Sequence, residues 1–474
     1  MGVSLEDVNV FPDWVEGLVE RYSSEAEFLD VRISYGRNLF LSTENGKLRS
    51  LDQRRGVSLG VRVLRNGFWG IASTDILEKD RVEEAFRKAI SVAGAGGKVF
   101  PGKVNLSCEK AYRDRKRVHV KKSFDQMNIE DKQRMILELD RRIGGVDKRI
   151  ITTRVVYSEG FSRRIYLNSE GAFIEQVIPG IHVLLFSIAR EAMNMQMYYA
   201  SLGGEKGLEL LDEADLYTMA ENVGREAVNM LAAKSIKGGF MPVIMDGRVA
   251  GTFAHEVFGH AAEADNVVNA KSFLSGLVGR KIGSDEITIV DDATIEGAYG
   301  SYFYDDEGVP SQRKVLLEKG VLKGYMHSRE TAGVFGVKST GNARAQGSSS
   351  RIYVRMSNTF IEPGDWTLEE MVEDIDYGVY VTGAMGGMED PIGGGFQVSA
   401  LKAVLIEKGE MKHLLKAVTI SGKALEILKN VDAVGKDFTL EPGLCGKGYS
   451  GDRVPVTTGG PSVRVKKMLV GVSR

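Results

Sequence analysis

Residues 255–260 read His-Glu-Val-Phe-Gly-His, two imidazoles and a carboxylate inside one short apolar run. Histidine binds a divalent metal, and a neighbouring glutamate that is not itself a ligand can move protons; zinc hydrolases divide the work this way. The spacing is HExxxH, one residue longer than HExxH. In a regular α-helix, positions i and i+5 point about 140° apart and cannot share one ion. The motif carries chemistry only if the helix contains a π-type insertion. Gly259, which costs about 1 kcal/mol relative to alanine in mid-helix, marks the place for one. On the alternative reading the pair are ordinary helix histidines beside a surface glutamate. The chain has only 6 histidines, so two of them flanking this glutamate favours metal.

A catalytic zinc site needs a third protein ligand and one position open to water. Glu263 and Asp265, one turn further on, qualify as ligands or as supports behind them. Cys445 is another candidate: a thiolate binds zinc strongly, and the setting Pro442-Gly443-Leu444-Cys445-Gly446-Lys447-Gly448 is a glycine-flexible loop rather than a core. Cys108 has no histidine nearby and reads as structural. With zinc bound, Glu256 is the general base, taking a proton from water and passing it to the leaving amine. The competing reading is a non-enzymatic interaction or regulatory protein whose metal site is closed by four protein ligands and purely structural.

Two further stretches stand out. Asp305-Asp306-Glu307 concentrates three carboxylates but lacks calcium-loop spacing, and a solvated hairpin turn is expected. Residues 383–395 hold six glycines without phosphate-loop grammar. Glycines there suit a β-edge that receives an extended peptide, which makes Gly393, Gly394 and Gly395 candidate substrate-binding positions.

The elements that must position these residues follow from periodicity. A helix over 12–27 precedes strands around 31–41, 57–63 and 68–72, with hairpin turns at Asn45-Gly46 and Asn66-Gly67, and a helix over 76–93. Similar grammar returns, as a duplication or as a second meander: a helix over 129–143, then strands around 151–157, 164–167, 172–177 and 180–190. Glycines and Pro101 make 94–105 a linker. After a helical stretch over 207–234, a strand at 242–245 leads into a helix from Arg248 to about Ala264, capped by Asp246 and carrying the motif. Strands then predominate, among them 302–304, 321–327 and 351–356. The expected fold is α+β, with domains at 1–100, 106–236 and 237–474, the last β-rich and carrying the HExxxH helix.

Composition narrows the class. The chain has 474 residues, 43% hydrophobic and 27% charged, and its 62 basic and 64 acidic side chains leave a net charge of −2. That supplies no electrostatic footprint for nucleic acid or an anionic membrane. No run of about twenty apolar residues spans a bilayer, and the first fourteen residues lack a signal-peptide core. Two cysteines exclude a disulfide framework and point to the cytoplasm.

The segments HEVFGHAAEAD, DDEGVPSQRKVLLEKGVLKGYMHSRETA, STGNARA and CGKGYSGDRVPVTTGGPSVRV resemble, in this order, the TldD branch of the TldD/PmbA family, once labelled modulators of DNA gyrase. The likeness covers nearly the whole chain and is strongest beyond residue 238. The paralogous TldE (PmbA) branch lacks HExxxH. The resemblance implies a zinc metallopeptidase with His255, His260 and Cys445 as metal ligands and Glu256 as the catalytic glutamate. It further implies pairing with a TldE/PmbA-like paralogue or a second copy, and an enclosed cavity that admits flexible or unfolded peptides as an added β-strand.

Overall fold

The computed structural model describes residues 12–99, 104–448 and 451–472. Most of the segment read for a signal peptide, and residues 100–103 of the expected linker, lie outside these. The remaining linker glycines are not a linker. The helix Lys79–Val99 runs through them, because a Cβ at position 96 would lie 2.0 Å from the Phe68 ring: glycine here permits close packing, not flexibility.

The two meanders share one seven-stranded sheet. Its order is Phe68–Thr74, Lys47–Arg65, Phe28–Glu44, Ile150–Asn168, Phe173–Glu191 and Arg113–Arg117, with Asn194–Gly204 also pairing Phe173–Glu191. Both expected hairpin turns form, with Asn45, Gly46, Asn66 and Gly67 all at positive φ, as a type I′ turn demands. The strands are longer than expected: 151–157 and 164–167 belong to one strand whose pairing passes through Gly160 without a break. Odd positions of Phe28–Glu44 share a face. Leu29, Val31 and Ile33 pack against the helices Trp14–Ser23 and Lys79–Val99, while Leu39 and Leu41 pack against Ile129–Gly145 and Leu216–Asn229.

Beyond residue 238 a closed barrel of five strands forms. Gly239–Met245 pairs with Tyr377–Asp390 and Val463–Val472, Val463–Val472 with Val418–Lys423, Val418–Lys423 with Gly395–Glu407, and Gly395–Glu407 closes onto Tyr377–Asp390. A second sheet ends on the edge strand Thr439–Lys447, paired among the described residues only with Asp452–Gly460. Several expected strands shrink: 302–304 keeps one isolated bridge, at Tyr304, and 321–327 keeps Val321–Leu322 and an isolated bridge at Met326. The whole is mixed α+β. Among the described residues, no helix is long and apolar enough to cross a membrane.

Candidate metal centre

The chain leaves the barrel strand Gly239–Met245 at Asp246, whose carboxylate accepts the Val249 N–H (2.8 Å) and caps a short α-helix, Gly247–Thr252. This helix lies against the strand Asp452–Gly460 so closely that a Cβ on Gly247 or Gly251 would fall 2.2 or 2.3 Å from the Gly460 or Gly459 backbone. The continuous helix expected over 248–264 is instead three segments. A π-helical turn spans Phe253–Gly259 and a 3-10 turn spans His260–Ala262. The His260 N–H donates to the His255 carbonyl, five residues back, which closes the wider ring of a π-turn. Five residues therefore make about one turn, and the imidazoles of His255 and His260 face each other, ring centroids 5.2 Å apart and planes at 82°. Gly259 has ordinary helical dihedrals (φ −60°). It is needed because a Cβ would sit 2.0 Å from the sulfur of buried Met356.

The third member arrives from 185 residues away. Cys445 is not in a flexible loop. It sits on the edge strand Thr439–Lys447, opposite Val454, and its Sγ is 3.6 Å from His260 Nε2. Fully buried Arg355 donates to the Cys445 carbonyl and to the Asp452 carbonyl (3.1 Å), fixing this hairpin from beneath. Candidate donor atoms of His255, His260 and Cys445 all lie within 4.8 Å of one another, and all three residues are buried. Burial alone would push the Cys445 thiol up, but the two imidazoles hold it well below its ordinary value. Burial would lower both histidines, yet the sulfur raises His255, and Glu263 with the sulfur raises His260 well above the usual range. A thiolate and two imidazoles, with His255 Nδ1 buried and lacking a hydrogen-bond partner among the described residues, are a donor set that suits a borderline-soft divalent ion.

Glu263 and Asp265 stand behind the candidate ligands. Glu263 is fully buried and its carboxylate meets His260 Nδ1 at 3.1 Å, which leaves Nε2 for a metal. Lys447, two residues past Cys445 on the same strand, donates to Glu263 (2.8 Å), Asp265 (2.7 Å) and the Val354 carbonyl (2.9 Å). Against the cost of burial, Lys447 and His260 bring the Glu263 carboxyl down to about 2.

Glu256 lies on the open side, its nearer carboxylate oxygen 3.8 Å from His260 Nε2, and lines a cleft of about 290 Å³ together with Tyr199, Arg248, Met385 and Leu444. A residue the sequence reading missed joins it: Glu389 brings a carboxylate oxygen within 4.8 Å of Glu256 and His260. Burial pushes the Glu389 carboxyl up, His260 draws it down, and the Glu256 charge adds to the rise. Nothing in the residue pattern marked Glu389; only the hairpin that carries it brings it here. Gly393, Gly394 and Gly395 are elsewhere, at the tip of that hairpin. Their backbone is already engaged: Gly393 and Gly394 N–H donate to Asp390, and the Gly394 carbonyl accepts from Ala424. Residues 385–390 of the same strand pair only with Gly395–Glu407, so their other edge is open among the described residues.

The acidic run also differs from the expected solvated turn. Asp305 and Glu307 are buried; Asp305 accepts the N–H groups of Glu307, Val309 and Ala343, and Glu307 pairs with Arg62 (3.2 Å). Burial and the neighbouring Glu307 raise the Asp305 carboxyl well above the usual range. Cys108 is exposed and is not part of the metal cluster.

Comparison with known proteins agrees with this geometry. Family profiles for the first, central and C-terminal domains of the PmbA/TldA metallopeptidases match residues 29–93, 122–231 and 238–472. A metalloprotease of Methanocaldococcus jannaschii is 39% identical over 94% of this chain and 97% of its own length. A zinc metalloprotease TldD homologue of Saccharolobus solfataricus is 30% identical over 94% and 97%. A crystal structure from Thermotoga maritima, named for modulation of a DNA gyrase, superposes with a TM-score of 0.80 at 25% identity, covering 98% of this chain and all of that one. The fold is also that of TldE from Thermococcus kodakarensis, with a TM-score of 0.78 at 22% identity over 97% of this chain and all of that one. The chain is a metalloprotease of the TldD/PmbA family.

Proposed function

We propose that the protein is a zinc-dependent peptidase in which His255, His260 and Cys445 hold the ion and Glu256 is the general base. The observation that carries this reading is the juxtaposition of three buried soft donors with one carboxylate facing a cleft. Three protein ligands leave a coordination position free, the arrangement of catalytic rather than structural zinc. Zinc bound there supplies Lewis acidity that makes water acidic near neutral pH. Glu256 takes the proton of the attacking water and delivers it to the amine as the peptide bond breaks. Glu263, anchored by Lys447, keeps His260 in one tautomer and orientation.

The substrate is an extended, flexible peptide added as a strand. Two open edges supporting this border the cleft region: residues 385–390, and Thr439–Lys447. Backbone pairing favours unfolded segments of varied sequence. The zinc named for the Saccharolobus relative supports the choice of metal. The division into domains 1–100, 106–236 and 237–474, and pairing with a TldE/PmbA-like paralogue or a second copy, belong to the same reading.

The test compares wild type with Glu256→Gln for zinc content and cleavage of an unstructured peptide. Zinc should stay at the wild-type level while hydrolysis falls by roughly two to four orders of magnitude. A variant that retains zinc and cuts at the wild-type rate removes Glu256 from the mechanism.

A further inference from the structure

A cavity of about 1020 Å³ touches none of the metal-centre residues. It lies between the N-terminal sheet and the strand Asp452–Gly460, where Pro455 lines it, while Val456 and Thr458 of that strand line the catalytic cleft. Part of its wall is bare backbone. A Cβ on Gly36 would meet only Asn38, at 3.8 Å, and one on Gly180 only Tyr299, at 4.0 Å. Neither glycine has a positive φ, so the chain conformation does not require them. Glycine weakens a strand and is found where something approaches the backbone closely.

Among the charged side chains that line this space, Glu205, Arg164 and Arg344 do not pair with one another. Glu205 is 7% exposed, yet among the described residues its carboxyl group has no hydrogen-bond or ion-pair partner. Arg344, 5% exposed, donates from Nη1 to the Met356 carbonyl (2.7 Å) and lies over the Tyr302 ring, but no carboxylate pairs with it. Arg164 is bound only through Nε, to Ser162 (3.2 Å). Both guanidinium groups act on Glu205 by charge, while burial pushes its carboxyl well above the ordinary range. Glu205 offers an accepting oxygen, and Arg164 and Arg344 keep guanidinium N–H groups without a carboxylate partner among the described residues. Leaving the buried Glu205 and Arg344 side chains without an opposite partner is costly, and a ligand that pairs with them would offset that cost.

We propose that this cavity is a second binding site, for a small ligand carrying a carboxylate next to an N–H group. That is the chemistry of an acylated amino acid or of the C-terminal residue of a peptide. Arg164 and Arg344 take the carboxylate, Glu205 accepts the N–H, and Phe161 and Ile178 supply apolar wall for the side chain. The site stands apart from the metal centre and does not depend on the assignment of Glu256.

Calorimetric titration of the full chain with N-acetylalanine, and with N-acetylalanine amide, tests it. The acid should bind saturably and the amide should not. Arg164→Ala, which removes the charge, and Gly180→Leu, which fills the space, should each weaken the acid about tenfold or more. Glu205→Met should raise Tm, since it removes an unpaired buried acid, and should bind propionate as well as N-acetylalanine. Cys445→Ser should bind the acid as wild type does. Absence of saturable binding to wild type, unchanged binding by both Arg164→Ala and Gly180→Leu, or loss of binding in Cys445→Ser (which would put the acid on the metal) overturns the proposal.

Discussion

Gly259→Ala separates two reasons for a glycine beside a metal ligand. If that glycine served only to loosen the helix, alanine should stabilise the protein by about 1 kcal/mol, because φ at this position is already helical at −60°. The packing says otherwise. The new Cβ would lie 2.0 Å from Met356 Sδ, 3.2 Å from Met356 Cε and 3.3 Å from the Ala254 carbonyl oxygen, and Met356 has no exposure through which to swing away. Overpacking of this kind costs about 1–3 kcal/mol. Set against the propensity gain, the net loss is about 0–2 kcal/mol, and the strain falls on the turn that holds His260. Urea denaturation with zinc quantified on the same samples measures both effects. The double variant Gly259→Ala/Met356→Ala should show positive coupling, since the second change makes room for the first. A single variant more stable than wild type with full zinc, or a double variant whose cost is the plain sum of the two singles, refutes the packing argument.

Three further outcomes are expected. Cys445→Ser should reduce zinc occupancy below that of wild type in metal analysis of dialysed protein; unchanged stoichiometry removes Cys445 from the ligand set. Lys447→Met should destabilise the protein by about 3–5 kcal/mol in urea, because it strands the buried carboxylate of Glu263; a loss well under 1 kcal/mol would show that this pair is not holding the centre. Acid titration of stability follows from Glu263, whose carboxyl falls from an ordinary 4.5 to about 2 on folding. A folded-state value below the unfolded one gives stabilisation that is complete above about 4.5 and lost as pH falls toward 2, about 3 kcal/mol in all. Glu263→Gln should flatten that part of the curve, as read by urea midpoints between pH 2 and 5.

The chemistry of the centre was legible because it resides in residue types. Few side chains bind zinc, and the i+5 spacing of His255 and His260 demanded a turn wider than an α-helix. Lys447 and Glu389 were not legible. A lysine two residues past a cysteine, and a glutamate in a hairpin, become part of the site only through strand pairing that brings distant segments to the motif. Glycine was the least readable signal: it marks mobility and close contact alike. Gly96 was read as linker and proved to be a packing point for Phe68, while Gly393–Gly395 were read as a substrate edge and proved to close a hairpin. The alternation of apolar residues located strands but not their lengths, since Gly160 interrupts the pattern without interrupting the ladder.

The 185 residues between His260 and Cys445 give the centre an order of assembly. A growing chain that has made only the two histidines offers a metal two ligands and no anchored Glu263, because Lys447 arrives with Cys445 on the same edge strand. Among the described residues that strand pairs only with the strand that follows it, Asp452–Gly460, so its sulfur and ammonium reach their places as that hairpin closes. With the ligand set proposed above, a protease built this way carries its own delay: the ion is caught when this distant hairpin forms, and a copy made only as far as the motif lacks the means to cut its neighbours.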